Sequence, residues 1–328
     1  MRRIPGRRRV FAELGIRLIK QKPLGLVGLI LVVALFFTGI FADLSWMGMP
    51  DIGLAPEHYN VMHLADRLSP PSETYPLGTD HLGRDIVSRI IHGARLSMIV
   101  GVVATALSAT ISTALGMMCA YLGGWFDLIV QRFVNAWIRF PALVILITLL
   151  SILQPGLLSI LLVLGVASGI SGARFQRSLV FAIKENVYIR ASEAIGARGG
   201  RIILFHLLPN ILPMVIVLFT IGMGATIMAE ASLSFLGLGL PPPYPSWGSM
   251  IAGEGRAHML RAPWLAFWPG VALTLAVFGI NMLGDALRDL LDPRLRGGLG
   301  SYRLGKADKM REKFMRKVEE SGQEQQES

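Results

Sequence analysis

One run of this chain approaches nucleotide chemistry. Gly300-Ser301-Tyr302-Arg303-Leu304-Gly305-Lys306 fits the phosphate-loop spacing G-x-x-x-x-G-K. The next residue is Ala307, where that chemistry needs a Ser or Thr hydroxyl to hold magnesium, and no apolar strand precedes the glycines. The match is read as coincidence. There is no H-E-x-x-H pair and no G-x-S-x-G nucleophile turn. His58, His63, His81 and His92 are scattered without metal-ligand spacing, and Cys119 is the only cysteine. No catalytic residue, metal ligand or cofactor site is expected, so the chain is not read as an enzyme.

The elements that surround these residues are apolar. Of 328 residues 52% are hydrophobic and only 16% charged, against about 25% charged in soluble domains. The mean hydropathy is +0.53. Runs that approach the ~20 residues of a membrane crossing occur at 24–42, 97–121, 133–153, 156–172, 211–232 and 265–284. The expected fold is all-α and integral to the membrane, with six transmembrane helices, the third and fourth joined by a tight turn at Gln154-Pro155-Gly156. Lysine and arginine number eight in residues 1–23, six in 173–210 and ten from Arg288 onward, with Arg132 and Arg139 between. Segments 43–96 and 233–264 carry four and two. That asymmetry places both termini and the 173–210 loop in the cytoplasm. The net charge of +10 then reports topology and anionic headgroups. It does not point to nucleic acid, because the basic residues sit at membrane edges without interleaved aromatics. Arg8-Arg9-Val10-Phe11 echoes a twin-arginine signal, but the following apolar run is long and Ile40-Phe41-Ala42 is a poor cleavage site, so a retained first span is expected.

Within the spans ionisable groups are few. Glu230 lies at the outer end of the fifth, Asp285 at the inner end of the sixth, and Arg139 at the inner start of the third. A group at a helix centre costs about 2.5–3.5 kcal/mol, and ion relays accept that cost. The absence of central ones argues against a proton or sodium relay, so any transport would need another source of energy. Small residues spaced by four, as at Gly101 and Thr105, Ala109 and Thr113, Gly165 and Gly169, suit close helix packing.

The chain divides into a basic start and first span (1–42), an external segment (43–96), a five-helix core (97–290) and a cytoplasmic tail (291–328) whose last residues read as disordered. The external segment is turn-rich through Pro50, Pro56, Pro70, Pro71 and Pro76. Its end reads as an amphipathic approach to the second span, with Ile86, Ile90 or Ile91, Ala94 and Met98 in phase and Asp80 as a candidate cap.

Residues 186–213, NVYIRASEAIGARGGRIILFHLLPNILP, interrupt the apolar runs with polar, basic and small residues. A helix is expected from Glu185 to Ala197, with Asn186 as cap and Tyr188, Ala191 and Ile195 on one face. Its small residues keep it thin enough to enter a groove. Gly199 and Gly200 are expected to end it, and Pro209 and Pro213 to break the chain before the fifth span. A passive interfacial helix is the other reading, opposed by the modest apolar face. A short rigid helix between breaks is suited to be pushed by a cytosolic partner.

This run resembles the EAA loop of ABC importer permeases. Arg190-Ala191-Ser192 stands at the E-A-A place, Gly196 at the glycine and Leu208-Pro209 at the terminal pair. The acidic residue is replaced by Arg190, with Glu193 one turn on. LGTDHLGRDIVSRIIHGAR (77–95), AEASLSFLGLGLPPPYPSWGSMI (229–251) and LGDALRDLLDPRLRG (283–297) are similar to the C-type permease subunit of oligopeptide, dipeptide and nickel importers. The resemblance implies a type I ABC importer permease fold with an extra N-terminal span, in a prokaryotic plasma membrane. It implies half of a translocation pathway for short peptides or related small solutes. The partners would be a second permease, two ATP-binding cassette subunits and an extracytoplasmic solute-binding protein. Tyr188, Arg190, Ala191, Ser192, Glu193, Ala194, Gly196, Ala197 and Pro209 would carry coupling to the ATPase. Asp80, Arg84, Asp85, Glu230 and Trp247 would serve binding-protein docking or a gate. An ion-coupled secondary transporter and a membrane scaffold are the alternatives.

Overall fold

The computed structural model describes residues 22–43 and 53–291, and its regular elements are all helical apart from one isolated bridge, Thr79 to Asp85. The near-match at 300–306, the basic start and the tail lie outside the described residues. Helix α1 is Pro23–Ile40, with its proline in the first turn, where no N–H is needed. The others are α2 Ile86–Leu122, α3 Gly124–Arg139, α4 Ala142–Ile152, α5 Leu157–Lys184, α6 Val187–Ala194, α7 Gly199–Phe235, a short α8 Trp247–Met250 and α9 Trp264–Leu291. Helices α1, α2, α5, α7 and α9 are each long and apolar enough to cross a membrane, and α3 with α4 makes a sixth candidate.

That sixth candidate departs from the expected straight span at 133–153. Helices α3 and α4 meet at 95°. The break falls at Phe140-Pro141, where both residues are extended (ψ 141° and 128°). A proline ring forces the residue before it out of the helical region, so the apolar run cannot continue as one helix.

Three boundaries also move. The amphipathic approach and the second span are one 37-residue helix, α2, which runs through the position-96 boundary. Its cap is Asp85 rather than Asp80: the Asp85 carboxylate accepts from the backbone N–H groups of Val87 and Ser88. The fourth span continues to Lys184. The fifth starts at Gly199, upstream of both prolines. Pro209 does not break it, because the preceding Ile202–Leu207 stretch is π-helical and absorbs the missing backbone donor. A second π stretch, Val100–Ala104, lies in α2.

Helix α5 packs along the second half of α2, and α9 lies between α1 and α7. The α2–α5 contact is close because Gly165 and Gly169 face Leu107 and Ile111. A Cβ at Gly169 would sit 2.8 Å from Ile111 Cβ. In lipid, where burial of apolar surface drives little, such backbone approach is the main source of association. The external segment is fastened to the bundle: Trp264 Nε1 donates to the Thr79 carbonyl at 3.3 Å, and Arg95 pairs with Asp43 at 2.9 Å.

Gly169→Leu is expected to force α2 and α5 apart at a cost of about 1–3 kcal/mol. The thermal unfolding midpoint of the detergent-solubilised protein should fall, whereas Gly270→Leu, where a Cβ meets nothing within 4 Å, should hold it. Equal midpoints for the two would show that this contact is not tight.

Candidate functional site

The inner site is built on α6. Asn186 precedes it in extended conformation, but its side chain donates back to the Ile183 carbonyl at 2.9 Å and gives no side-chain cap. The helix is shorter than expected, eight residues, and ends at Gly196 rather than at Gly199 and Gly200. Gly196 has φ +82°, Ala197 N–H bonds the Ser192 carbonyl at 3.1 Å, and Gly196 N–H bonds the Glu193 carbonyl at 2.9 Å. This is a Schellman ending, which favours glycine at the left-handed residue. Gly199 starts α7 instead.

One side chain holds α6 to the bundle. Ile189 has no exposed surface and belongs to a buried apolar cluster with Met117 and Ala120 of α2, Val180 of α5, and Ile202 and Ile211 of α7. Beside it, Lys184 Nζ donates to the Ala120 and Tyr121 carbonyls at 3.1 and 3.0 Å, a cation at the C-terminal end of α2. The opposite face is open. Tyr188, Arg190, Ala191, Glu193, Ala194 and Gly196 are exposed, and Ser192 and Ala197 are half-buried. Val187 and Ile195 are 83% and 85% exposed. Tyr188, Ala191 and Ile195 are all exposed, Ile195 as the C-cap residue just past the helix. Exposed apolar residues ringed by charge mark a surface made for contact. Pro209 lies more than two turns into the next helix.

The residues expected at an outer docking surface or gate are all buried: Asp80, Arg84, Asp85, Glu230 and Trp247. They hold the outer end together rather than meeting solvent. Asp80 accepts from the Leu82 and Arg84 backbone and pairs with Arg84 Nε at 2.6 Å. Arg84 Nη2 reaches Glu254 at 2.7 Å. Ser234 Oγ donates to Glu230 at 2.5 Å. Trp247 Nε1 donates to the Ile90 carbonyl at 3.0 Å, and its ring covers Gly93. Trp247, Trp264 and Trp268 belong to a protein core rather than to a lipid belt. Asp80, His81 and Glu254 each bring one oxygen or nitrogen within 4.8 Å of the others. Arg84 already occupies both carboxylates, so the trio is an ion-pair network and not a cation site. Burial pushes the Glu254 carboxyl above its usual range, against the pull of Arg89 and Arg84.

Sequence reasoning missed Arg89 and Glu254 in this network, and the Arg177–Asp127 pair that ties α5 to α3. The spacing of Arg84 and Arg89 flanking a helix start was the available signal. Between α2, α5 and α7 a pocket of about 250 Å³ has a largely apolar lining, into which Ser108, Ser112, Ser168 and Gln176 bring hydroxyl and amide groups.

The family described as binding-protein-dependent transport system inner membrane component matches residues 112–297. The dipeptide transport system permease protein of Alkalihalophilus pseudofirmus is 37% identical over 85% of this chain and 88% of its own length. A putative peptide transport system permease protein of Brucella suis is 36% identical over 82% and 88%. The glutathione transport system permease protein of Escherichia coli is 35% identical over 86% and 90%.

Ile189→Ala is expected to cost about 2–5 kcal/mol locally and to loosen α6 from the bundle. A single cysteine at Ala197→Cys, in a Cys119→Ala background, should then label several-fold faster in native membranes. An unchanged labelling rate would show that α6 is held elsewhere.

Proposed function

The chain belongs to the binding-protein-dependent transport system inner membrane component family, and from that premise we propose that it forms half of the translocation pathway of an ATP-driven importer for short peptides. The observation that carries the coupling role is α6. Its outer face presents Val187, Tyr188 and Ile195, and its inner face is fixed by Ile189 to the cytoplasmic ends of α2, α5 and α7. A motor that docks on α6 therefore moves three helices at once. Of these, α2 and α7 are 37 residues each, about 55 Å at the helical rise, well beyond the ~30 Å hydrocarbon core. Such helices carry a push at the cytoplasmic side to the outer cluster around Arg84 and Glu254.

The peptide substrate is proposed from the relatives, whose names give dipeptide, peptide and glutathione transport. The few hydroxyl and amide groups in the largely apolar lining of the pocket between α2, α5 and α7 suit passage of a peptide backbone. A second permease would complete the pathway, two ATP-binding cassette subunits would supply energy through α6, and a solute-binding protein would deliver the peptide outside. Coupling requires that α6 make different contacts with the ATPase in the two states, since a ligand shifts an equilibrium only by its differential affinity. Tyr188, Arg190, Ala191, Ser192, Glu193, Ala194, Gly196 and Ala197 are the contact candidates. Pro209 acts through the start of α7.

Two measurements test this reading. Ile195→Cys in a Cys119→Ala background, crosslinked in native membranes, is expected to capture a nucleotide-binding subunit; capture of lipid alone would favour a scaffold. Gly196→Asp is expected to leave insertion intact and to abolish uptake, because an L side chain at φ +82° costs about 1–2 kcal/mol and moves Ile195 with the helix ending. Normal uptake by the inserted variant would remove α6 from the coupling path, and uptake by the chain alone in vesicles would favour a secondary transporter.

A further inference from the structure

On the outer side, a cavity of about 870 Å³ opens between the start of α2, the end of α7 and the 252–258 stretch. His81, Arg84, Arg89, Glu254 and His258 line one side, and the Pro241–Tyr244 run faces them. The volume falls within the range of small-molecule sites, about 300–1,000 Å³.

Arg89 is the unusual member. It is 5% exposed, yet its Nε and Nη1 have no hydrogen-bond partner among the described residues. The carboxylates near it stand off: Asp80 Oδ2 is 3.7 Å from Nε, and Glu254 Oε1 is 3.7 Å from Nη2. The cause is competition. Arg84 holds those same two oxygens, at 2.6 and 2.7 Å. Two guanidinium groups share two carboxylates, and Arg89 is left with free donors. A buried charge without full hydrogen bonding is costly. The Nε and Nη1 atoms are themselves buried, so a carboxylate that entered the cavity would relieve that cost by drawing the guanidinium toward it, and guanidinium is the side chain best matched to one.

We propose that this cavity receives the carboxylate of a peptide arriving from the outer side, with Arg89 as the group that binds it; the assignment rests on the peptide-importer reading. A small mobile ligand is favoured over an acidic side chain of a docked protein. The Arg89 side chain has only 6% of its surface open and is reached through the cavity, whereas a docking protein meets the surface around it. A cation is disfavoured by the two arginines.

The test uses the assembled importer with its binding protein in proteoliposomes, and compares uptake of radiolabelled dialanine with that of dialanine amide. In Arg89→Gln the free acid should lose about tenfold or more relative to the amide, the scale of a charge-assisted hydrogen bond. The binding protein's own preference is the same in both importers and cancels in the comparison. Arg89→Lys, which keeps the charge but not the fork, should retain part of the discrimination. Unchanged uptake of the free acid, or equal loss of both probes, overturns the proposal. Equal loss is what a purely structural arginine, or one that contacts the binding protein, would produce. Should Arg89→Gln fail to assemble, Ala257→Asp places a competing carboxylate at an exposed position of the cavity wall. It should lower free-acid uptake relative to the amide, and an unaltered ratio overturns the proposal. Import of neither probe by the wild-type importer fails the peptide reading itself and takes this assignment with it.

Discussion

In hydrocarbon there is no water to satisfy a backbone N–H or C=O, so each crossing segment must pair its own backbone. That constraint explains why the described elements are helices, and it makes each departure from α-helix informative. The departures sit where protein, not lipid, covers the backbone or where the chain nears the membrane edge. Val100–Ala104 in α2 contains the buried Val100, Gly101 and Ala104 against α7. Ile202–Leu207 lies at the cytoplasmic start of α7, with Ile202 and Leu207 in the cluster that holds α6. Ile251–Gly255, after α8, lies beside the outer cavity. The sharp turn at Phe140-Pro141 separates an amphipathic helix, α3, from an apolar one, α4.

Charge is distributed by the same constraint. The side chains lining the pocket between α2, α5 and α7 are uncharged, and the ion pairs gather at the two ends. Lys22 with Asp289 ties α1 to α9, and Arg177 with Asp127 ties α5 to α3. At the outer end Asp43 gathers His92 and Arg95, while Arg84 bridges Asp80 and Glu254. Buried pairs contribute little net stability after desolvation, but breaking one leaves an uncompensated charge. Their effect here is geometric: they lock the external segment, α2 and the 252–258 stretch into one outer body.

The inner end is held by a different means. Ile189 and its neighbours form an apolar joint, and the Schellman ending at Gly196 lets the chain reverse without a long loop. The inner joint is apolar, whereas the outer end is held by directional ion pairs. Between the two ends run α2 and α7, uninterrupted except for one π stretch each.

Much of this was legible in the sequence. Composition and run length determined the helical membrane fold, and the run from Asn186 to Pro213 the place of a short helix between two long apolar ones; the lysine and arginine asymmetry supplies the expected orientation. These are local properties, set by what each stretch of residues prefers as solvent. Pro141 was visible too, yet its effect was read only as an apolar span, because hydropathy is blind to backbone geometry. Pro209 misled in the other direction, since a π stretch upstream can absorb a missing donor. What only the tertiary structure decided depends on which groups meet. It buried Asp80, Arg84, Asp85, Glu230 and Trp247, which sequence reasoning had placed at a docking surface or gate. It also chose Ile189 as the anchor of α6 and left Arg89 short of partners while Arg84 took both carboxylates. Burial and pairing arise from contacts between residues as far apart as Arg84 and Glu254, and no local pattern encodes which of two arginines wins.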